Sequence, residues 1–161
     1  ALGLTALPRM EWNVQRRREN AHRLTEGIRE MPWFEPAPEM DWAYHSFYKY
    51  YAAIKPGALR VSRDDFVRAV RAEGVPIGLG SAAENHREEM FQRKVGYGHT
   101  HCPYECPWYT GNVDYTQVDC PNARETGSRT FVLLVHPTAG PEDMDDALTA
   151  LAKVGEAYSA I

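Results

Sequence analysis

The sequence predicts an α+β fold, with a mainly antiparallel sheet and helices packed on one side of it. Two kinds of segment indicate this class. Near both ends of the 161-residue chain, apolar residues recur at the spacing of an amphipathic helix. Residues 42–54 and 130–135 are short runs rich in aromatic and β-branched residues, as in strands. The predicted order is helix, strand, helix, strand, loop, strand, helix, which is typical of an α+β layer.

The first predicted element is a long amphipathic helix over about residues 5–31. Ala21, Leu24 and Ile28 lie at helical spacing, with charged residues between them. Several prolines follow, and they stop the helix and allow only an extended connector.

Residues 42–54 (WAYHSFYKYYAAI) are predicted to form the central strand of the sheet. Neither face of this run is uniformly polar, so we expect both faces to be covered. Lys49 and His45 lie among phenols here, and a desolvated lysine could serve as a Schiff-base amine. A lysine on a strand is more often a half-exposed side chain whose stem packs while its ammonium reaches water.

The next helix is predicted from its capping signals. Ser62 begins it, with Asp65 three residues later, so that the two side chains can cap the first turn reciprocally. Gly74 stands where a left-handed C-cap is needed. Residues 75–77 then resume as a short strand, which Pro76 places near an edge of the sheet.

The remaining chain combines one long loop with three regular elements. Residues 78–119 are irregular, and loops of this length in compact domains are usually functional or ordered by a partner. Residues 120–126 suit a short helix with Pro121 at its first position. Residues 130–135 are a strand predicted to be buried on both sides, and Pro141 opens the last helix.

Composition limits the function classes. Hydrophobic residues make up 43% of the chain and charged residues 25%, which favours a single globular domain over residues 1–161. The net charge of −4 argues against a nucleic-acid binder. No apolar stretch approaches a membrane span, and no basic leader is present, so we expect a cytoplasmic protein. The chain opens at Ala1 without methionine, and we hypothesise that it is cut from a longer polypeptide.

A group of possible metal ligands occurs in the long loop, comprising His99, His101, Cys102 and Cys106, with Cys120 further on. Thiolates and imidazoles at short spacing can bind zinc, so a zinc-stabilised module is one alternative. Each cysteine is followed by proline, however, which repeats a turn unit rather than a zinc-finger spacing. We therefore expect buried thiols and no metal. Three cysteines cannot all pair within one chain.

His86 and Arg87 follow the short strand. Both side chains donate hydrogen bonds to oxygen, which suits an anionic or polyhydroxyl ligand, although His86 could equally be an ordinary surface-loop histidine. Neither a phosphate-binding glycine loop with lysine nor a G-x-S-x-G motif occurs, so neither a P-loop nucleotide site nor a serine hydrolase is supported.

Several segments together resemble the C-terminal part of the DegT/DnrJ/StrS-type aminotransferases, which are pyridoxal-phosphate enzymes that aminate keto-sugars and cyclitols. The resemblance covers nearly all of the chain and depends on the order and spacing of the segments. The matching segments are ALGLTALPRMEWNVQRRRENAHRL, HSFYKYYAAI, SRDDFVRAVRAEGVPIGLG, CPYECPWYTGNVDY, CPNARE and VLLVHPTAGPEDMDDALTALAKV.

This resemblance implies the small domain of a fold-type I pyridoxal-phosphate enzyme, with a linking helix at about 5–31 and an α+β lobe at about 40–161. In such enzymes the N-terminal domain carries the Schiff-base lysine, the aspartate that pairs with the pyridine nitrogen and most phosphate contacts. Nothing in this chain matches those motifs, and Lys49 is at a variable strand position. The resemblance therefore implies no catalytic or cofactor-binding residue here, and no activity for the chain alone.

The resemblance also implies a substrate wall and partners. The candidate substrate-binding residues are His86, Ser81, Asn85, His45 and Arg87, with Ser81 replacing an aromatic residue often found there. The implied partners are the enzyme's own N-terminal domain, a second copy in a homodimer and a small-molecule substrate. A different reading is a non-catalytic lobe that binds a partner chain through the long helix and the loop.

Overall fold

The computed structural model describes residues 2–80 and 84–161. The helices are α1 (Leu2–Ala6), α2 (Met10–Arg29), α3 (Arg63–Ala72), α4 (Glu89–Gln92), α5 (Pro121–Arg129) and α6 (Pro141–Ala157). The strands are β1 (Phe34–Pro36), β2 (Tyr50–Ile54), β3 (Ile77–Leu79) and β4 (Thr130–Leu133). Short 3₁₀ turns occur at Leu7–Arg9, Asn85–Arg87, Gly98–Thr100 and Tyr115–Gln117.

The described strands form one antiparallel sheet in the order β1-β2-β4-β3. Leu133 of β4 lies between Tyr50 of β2 and Ile77 of β3, so β4 is paired on both sides. The predicted α+β class with antiparallel pairing is confirmed, and β3 lies at an edge as its proline indicated. The expected strand at residues 75–77 begins two residues later, at Ile77.

The chain divides into two compact units, residues 1–80 with 129–161 and residues 81–128. The first unit contains the sheet and its core. Phe34 of β1, Phe66 of α3 and Phe131 of β4 are buried together, with ring centroids separated by 5.1 to 5.7 Å. Such tilted and edge-to-face contacts add to the free energy of simple area burial.

Helix α2 is joined to the start of α6 by a buried amide. Asn20 is 2% exposed, and its Nδ2 donates to the carbonyl oxygens of His136 and Ala139, at 3.2 Å in each case. A buried amide without partners would cost several kcal/mol on water-to-hydrocarbon scales, so these two bonds fix the turn before α6 against α2.

The predicted first helix is interrupted near its beginning. A 3₁₀ turn at Leu7–Arg9 separates α1 from α2. Pro8 lies in that turn, and a proline has no N–H to donate to the carbonyl four residues earlier and its ring crowds that carbonyl. The interpretation of residues 5–31 as one continuous helix was wrong at this point, whereas the periodic face containing Ala21, Leu24 and Ile28 is buried as expected.

The predicted central strand is much shorter than residues 42–54. Only β2 is paired, while Phe47 has a positive φ of 46°, which breaks an extended run. The expectation that both faces would be covered was also wrong for the first part of this run, since Trp42 is 85% exposed. Strand β4 likewise ends at Leu133 rather than at residue 135; Leu134 is exposed, whereas Val135 is buried as expected.

The local signals around α3 are confirmed. The Ser62 hydroxyl accepts a hydrogen bond from the Asp65 backbone N–H at 3.1 Å and donates to the Asp65 carboxylate at 2.7 Å. The hydrogen bond from Ser62 is the main reason that the pKa of Asp65 lies below its ordinary value, and nearby Arg68 lowers it further. Gly74 closes the helix with a φ of 94°, as the C-cap prediction required.

The second unit has a small aromatic cluster. Phe91 of α4 packs against Tyr104 and Tyr115, with ring centroids separated by 5.4 to 6.1 Å. Helix α5 begins at Pro121, as predicted, and extends further than expected, to Arg129.

The loop that carries Cys102 and Cys106 belongs to the second unit. Cys106 is buried and Cys102 half-buried, and both are free thiols. Within residues 2–80 and 84–161, no three histidine, cysteine or acidic side chains form a group that could hold a metal ion. No helix in these same ranges combines the length and the apolar character needed to cross a membrane.

Replacing Phe131 by alanine should lower the free energy of unfolding by about 3–5 kcal/mol, because removal of the buried ring would leave a cavity between β1, β4 and α3. Urea denaturation followed by circular dichroism measures the change. The matched control is Leu134→Ala three residues later, whose exposed side chain should matter by less than about 1 kcal/mol. Equal effects of the two changes would contradict the described core.

Replacing Ser62 by alanine should lower the free energy of unfolding by about 1 kcal/mol at neutral pH, through loss of the N-cap. Because folding lowers the pKa of Asp65, its contribution is present above about pH 3.8 and is lost as the pH falls through the lower folded-state value. The difference between the two proteins should therefore shrink in acid. A ¹³C NMR titration should also show the Asp65 pKa rising toward 3.8 in the variant; an unchanged pKa would exclude this cap.

Candidate functional site

The candidate site lies in the second unit and centres on His86. This residue is on the 3₁₀ turn Asn85–Arg87, and its side chain is only 10% exposed. Its Nε2 is buried and has no hydrogen-bond partner among the described residues. The Glu84 Oε1 atom is 3.9 Å away, which is too far for a hydrogen bond. Nearly all buried polar atoms have a partner, so this nitrogen marks a position where a further group is expected.

Glu84 does not serve as that partner because it is already paired with two arginines. Its Oε1 accepts from the Nε atoms of Arg87 at 3.0 Å and Arg124 at 3.3 Å. Arg124 also donates to Asp119, and this bond is the main cause of the raised pKa of its guanidinium. The acids therefore balance the arginine charges around His86.

A pocket of about 310 Å³ adjoins this turn. Its lining residues are His86, Arg87, Gln92, Tyr115, Thr116 and Val118. Gln92 joins the two sides of the pocket, since its Nε2 donates to the carbonyl oxygens of His86 at 2.6 Å and Tyr115 at 3.1 Å. One side chain thus sets the spacing between the 3₁₀ turns Asn85–Arg87 and Tyr115–Gln117, which are distant in sequence.

The opposite wall is held by a local turn. The Asp114 carboxylate accepts hydrogen bonds from the Thr116 hydroxyl at 2.6 Å and its backbone N–H at 3.0 Å. These bonds lower the pKa of Asp114 and orient the Thr116 hydroxyl, whose oxygen retains acceptor capacity. Tyr115 is fixed between them by its contacts with Phe91 and Tyr104.

The structure brings together two of the residues predicted to bind substrate, His86 and Arg87. Asn85 begins the same turn and is exposed, with its carbonyl oxygen accepting from the Glu88 N–H at 3.0 Å; it does not line the pocket. Ser81 lies outside the described residues. His45 belongs to the first unit, where its Nδ1 accepts from the Phe47 N–H at 2.9 Å.

Four pocket residues were missed by sequence reasoning, namely Gln92, Tyr115, Thr116 and Val118. No short motif connects them, because the bond between Gln92 and Tyr115 crosses 23 residues of irregular chain. The only available signal was the length of the loop, which indicated function without indicating residues.

Three of the chain's four lysines, at positions 49, 94 and 153, do not fit a pyridoxal-phosphate site. A Schiff-base lysine has to face the cofactor together with a group that pairs with its pyridine nitrogen. Lys153 and Lys94 instead form ion pairs with Glu73 at 2.6 Å and Glu105 at 3.1 Å. Lys49 adjoins a pocket with basic and apolar lining residues but no carboxylate.

Comparison with known proteins identifies the family. The model of the DegT/DnrJ/EryC1/StrS aminotransferase family matches residues 1–110. The spore coat polysaccharide biosynthesis protein SpsC of Bacillus subtilis is 25% identical over 151 residues, which are 94% of this chain and 34% of SpsC.

Two solved structures share the fold. An aminotransferase from Psychrobacter cryohalolentis has a TM-score of 0.73 at 21% identity, covering 98% of this chain and 38% of its own. Helicobacter pylori PseC, an aminotransferase involved in the biosynthesis of pseudoaminic acid, has a TM-score of 0.77 at 14% identity, covering 98% and 37%. The chain thus spans little more than a third of the length of these relatives, and it belongs to the DegT/DnrJ/EryC1/StrS aminotransferase family.

Proposed function

We propose that this chain is the C-terminal domain of a pyridoxal-phosphate-dependent aminotransferase that acts on a keto-sugar, a ketocyclitol or a related precursor. It would form one wall of the substrate cleft and be inactive alone. The cofactor and its lysine would lie on the N-terminal domain, in a cytoplasmic homodimer. Family membership and the one-third coverage of the relatives support this assignment of the cofactor and the substrate wall to different domains.

The observation that carries the substrate class is the unpartnered Nε2 of His86 beside a polar pocket. An imidazole, a guanidinium and a hydroxyl can together donate to and accept from several neighbouring hydroxyl groups, as a sugar or cyclitol requires. Because Glu84 already balances the charge of Arg87, the pocket favours a neutral polyhydroxyl surface over a second anion. SpsC is a spore coat polysaccharide biosynthesis protein and PseC is involved in the biosynthesis of pseudoaminic acid, which favours the same substrate class.

The alternative, a non-catalytic lobe that binds a partner chain, is favoured by one observation. Large aromatic side chains of the first unit are exposed, including Trp12, Trp42, Tyr44 and Tyr48. Apolar surface of this kind commonly marks an interface. Mixing the chain with a separately expressed N-terminal domain separates the two functions: restored amino transfer indicates a divided enzyme, and binding without transfer indicates the lobe.

Replacing His86 by alanine in the full-length enzyme should lower kcat/KM for the keto substrate by about tenfold or more, because a hydrogen bond to the substrate is lost. Pyridoxal absorbance near the visible range should be retained, since the cofactor is proposed to lie on the other domain. His99→Ala, an exposed histidine of the same unit, is the matched control and should leave kcat/KM within about twofold. An unaffected His86→Ala enzyme would refute the role of the pocket; a full-length protein without cofactor and transfer would refute the function itself.

Replacing Gln92 by alanine should act indirectly, by releasing the His86 turn from the Tyr115 turn. We expect KM for the keto substrate to rise about tenfold with a smaller change in kcat, because the substrate wall is loosened while the chemistry is left to other groups. Gln15→Ala is the control, since that exposed amide of α2 in the first unit donates to Glu19 and touches no residue of the His86 pocket. Amide hydrogen exchange of residues 85–92 should be faster than in the wild type in the Gln92 variant alone. An unchanged exchange rate there would contradict the proposed link between the two turns.

A further inference from the structure

A second pocket, of about 170 Å³, lies in the first unit and shares no lining residue with the His86 pocket. Its lining residues are Arg17, Tyr48, Lys49, Leu134, Val135 and His136. Tyr48 and Lys49 directly precede β2, and the three residues from Leu134 to His136 directly follow β4. Because these strands are antiparallel with Tyr50 opposite Leu133, both groups lie at the same end of the sheet, facing the middle of α2.

The pocket gathers three basic side chains, and its described lining contains no acidic residue. Within residues 2–80 and 84–161, neither Arg17 nor Lys49 has a carboxylate oxygen within 4.0 Å. The neighbouring arginines differ, because Arg16 pairs with Glu19 at 2.5 Å and Arg18 with Glu39 at 3.3 Å. Ion pairs on a protein surface contribute little to stability. A pocket lined by basic side chains without acids has a positive potential, which attracts anions.

Arg17 is held in a fixed position. Its Nη1 donates to the carbonyl oxygens of Phe47 at 3.2 Å and Tyr48 at 2.9 Å. These bonds use one of the guanidinium nitrogens, while the other N–H groups have no protein acceptor among the described residues. A guanidinium anchored on one edge can offer its remaining donors to a ligand without a large loss of side-chain entropy.

The other two basic groups also have close neighbours. The Lys49 ammonium lies 5.6 Å from the centroid of the Tyr48 ring, and Lys49 as a whole is half-buried. The His136 Nδ1 is 2.9 Å from the Thr138 hydroxyl, and the His136 backbone carbonyl is fixed by Asn20. When Nδ1 accepts from Thr138, Nε2 carries the proton and can donate.

We propose that Arg17, Lys49 and His136 form a binding site for a phosphoryl group. A phosphate offers three or more acceptor oxygens and up to two negative charges, which match three separate cationic or donor groups better than the two oxygens and single charge of a carboxylate. The apolar side chains of Leu134 and Val135 leave room for the carbon skeleton of a phosphomonoester. The proposed aminotransferase role does not require this phosphoryl-binding site.

Calorimetric titration of the chain with inorganic phosphate tests the proposal. We expect one site, with a dissociation constant that rises about tenfold or more in Lys49→Met, because one charge-assisted contact is lost. Lys49→Arg, which keeps the charge, should retain binding. Lys153→Met, whose ammonium pairs with Glu73 elsewhere on the unit, is the matched control and should stay within about twofold of wild type.

Parallel titrations identify the ligand. Methyl phosphate binding more tightly than inorganic phosphate would indicate an organic phosphate, and the reverse order would indicate the free ion; both support the site. Acetate binding as tightly as phosphate would overturn the assignment to a phosphoryl group. Absence of phosphate binding, or equal weakening in Lys49→Met and Lys153→Met with unchanged circular dichroism, would overturn the site.

Discussion

Phe131 connects parts of the first unit that are distant in sequence. Its strand, β4, is paired on both sides, and its ring contacts Phe34 of β1 and Phe66 of α3. Of the two pockets described above, the basic pocket depends directly on this arrangement. The basic pocket uses residues that directly follow β4, so its geometry is inherited from the sheet. The His86 pocket is built within the second unit and has its own aromatic cluster.

The parts of the fold that could be predicted are those determined by neighbouring residues. Ser62, Asp65 and Gly74 act within one turn of the helix that they delimit, so their sequence spacing is enough to locate α3. The start of β2 could not be located this way. The length of β2 depends on β1 and β4, which pair with it over three and four residues. Among the described residues, the chain before Tyr50 has no partner strand despite its aromatic composition.

The same distinction explains what could be predicted of the candidate site. His86 and Arg87 are adjacent, follow a short strand and carry side chains with evident chemistry, so they could be singled out from the sequence. Gln92 could not, because its role is to hold two backbone carbonyls from turns that are distant in sequence. A residue that positions others through the main chain leaves no pattern of side-chain types to recognise. Lys49 was misleading for the opposite reason, since its aromatic neighbours suggested covalent chemistry while the pocket beside it lacks an acid.

The distribution of acids separates the chemistry of the two pockets. Beside His86, Glu84 takes hydrogen bonds from both Arg87 and Arg124, so the guanidiniums are largely neutralised before any ligand arrives. A charged ligand would have to compete with that carboxylate, whereas hydroxyl groups can add to the network without breaking it. Beside Lys49 the carbonyl oxygens of Phe47 and Tyr48 hold Arg17 without cancelling its charge. One pocket is therefore suited to a neutral polyhydroxyl compound and the other to an anion, and the difference follows from where the chain places its carboxylates rather than from where it places its arginines.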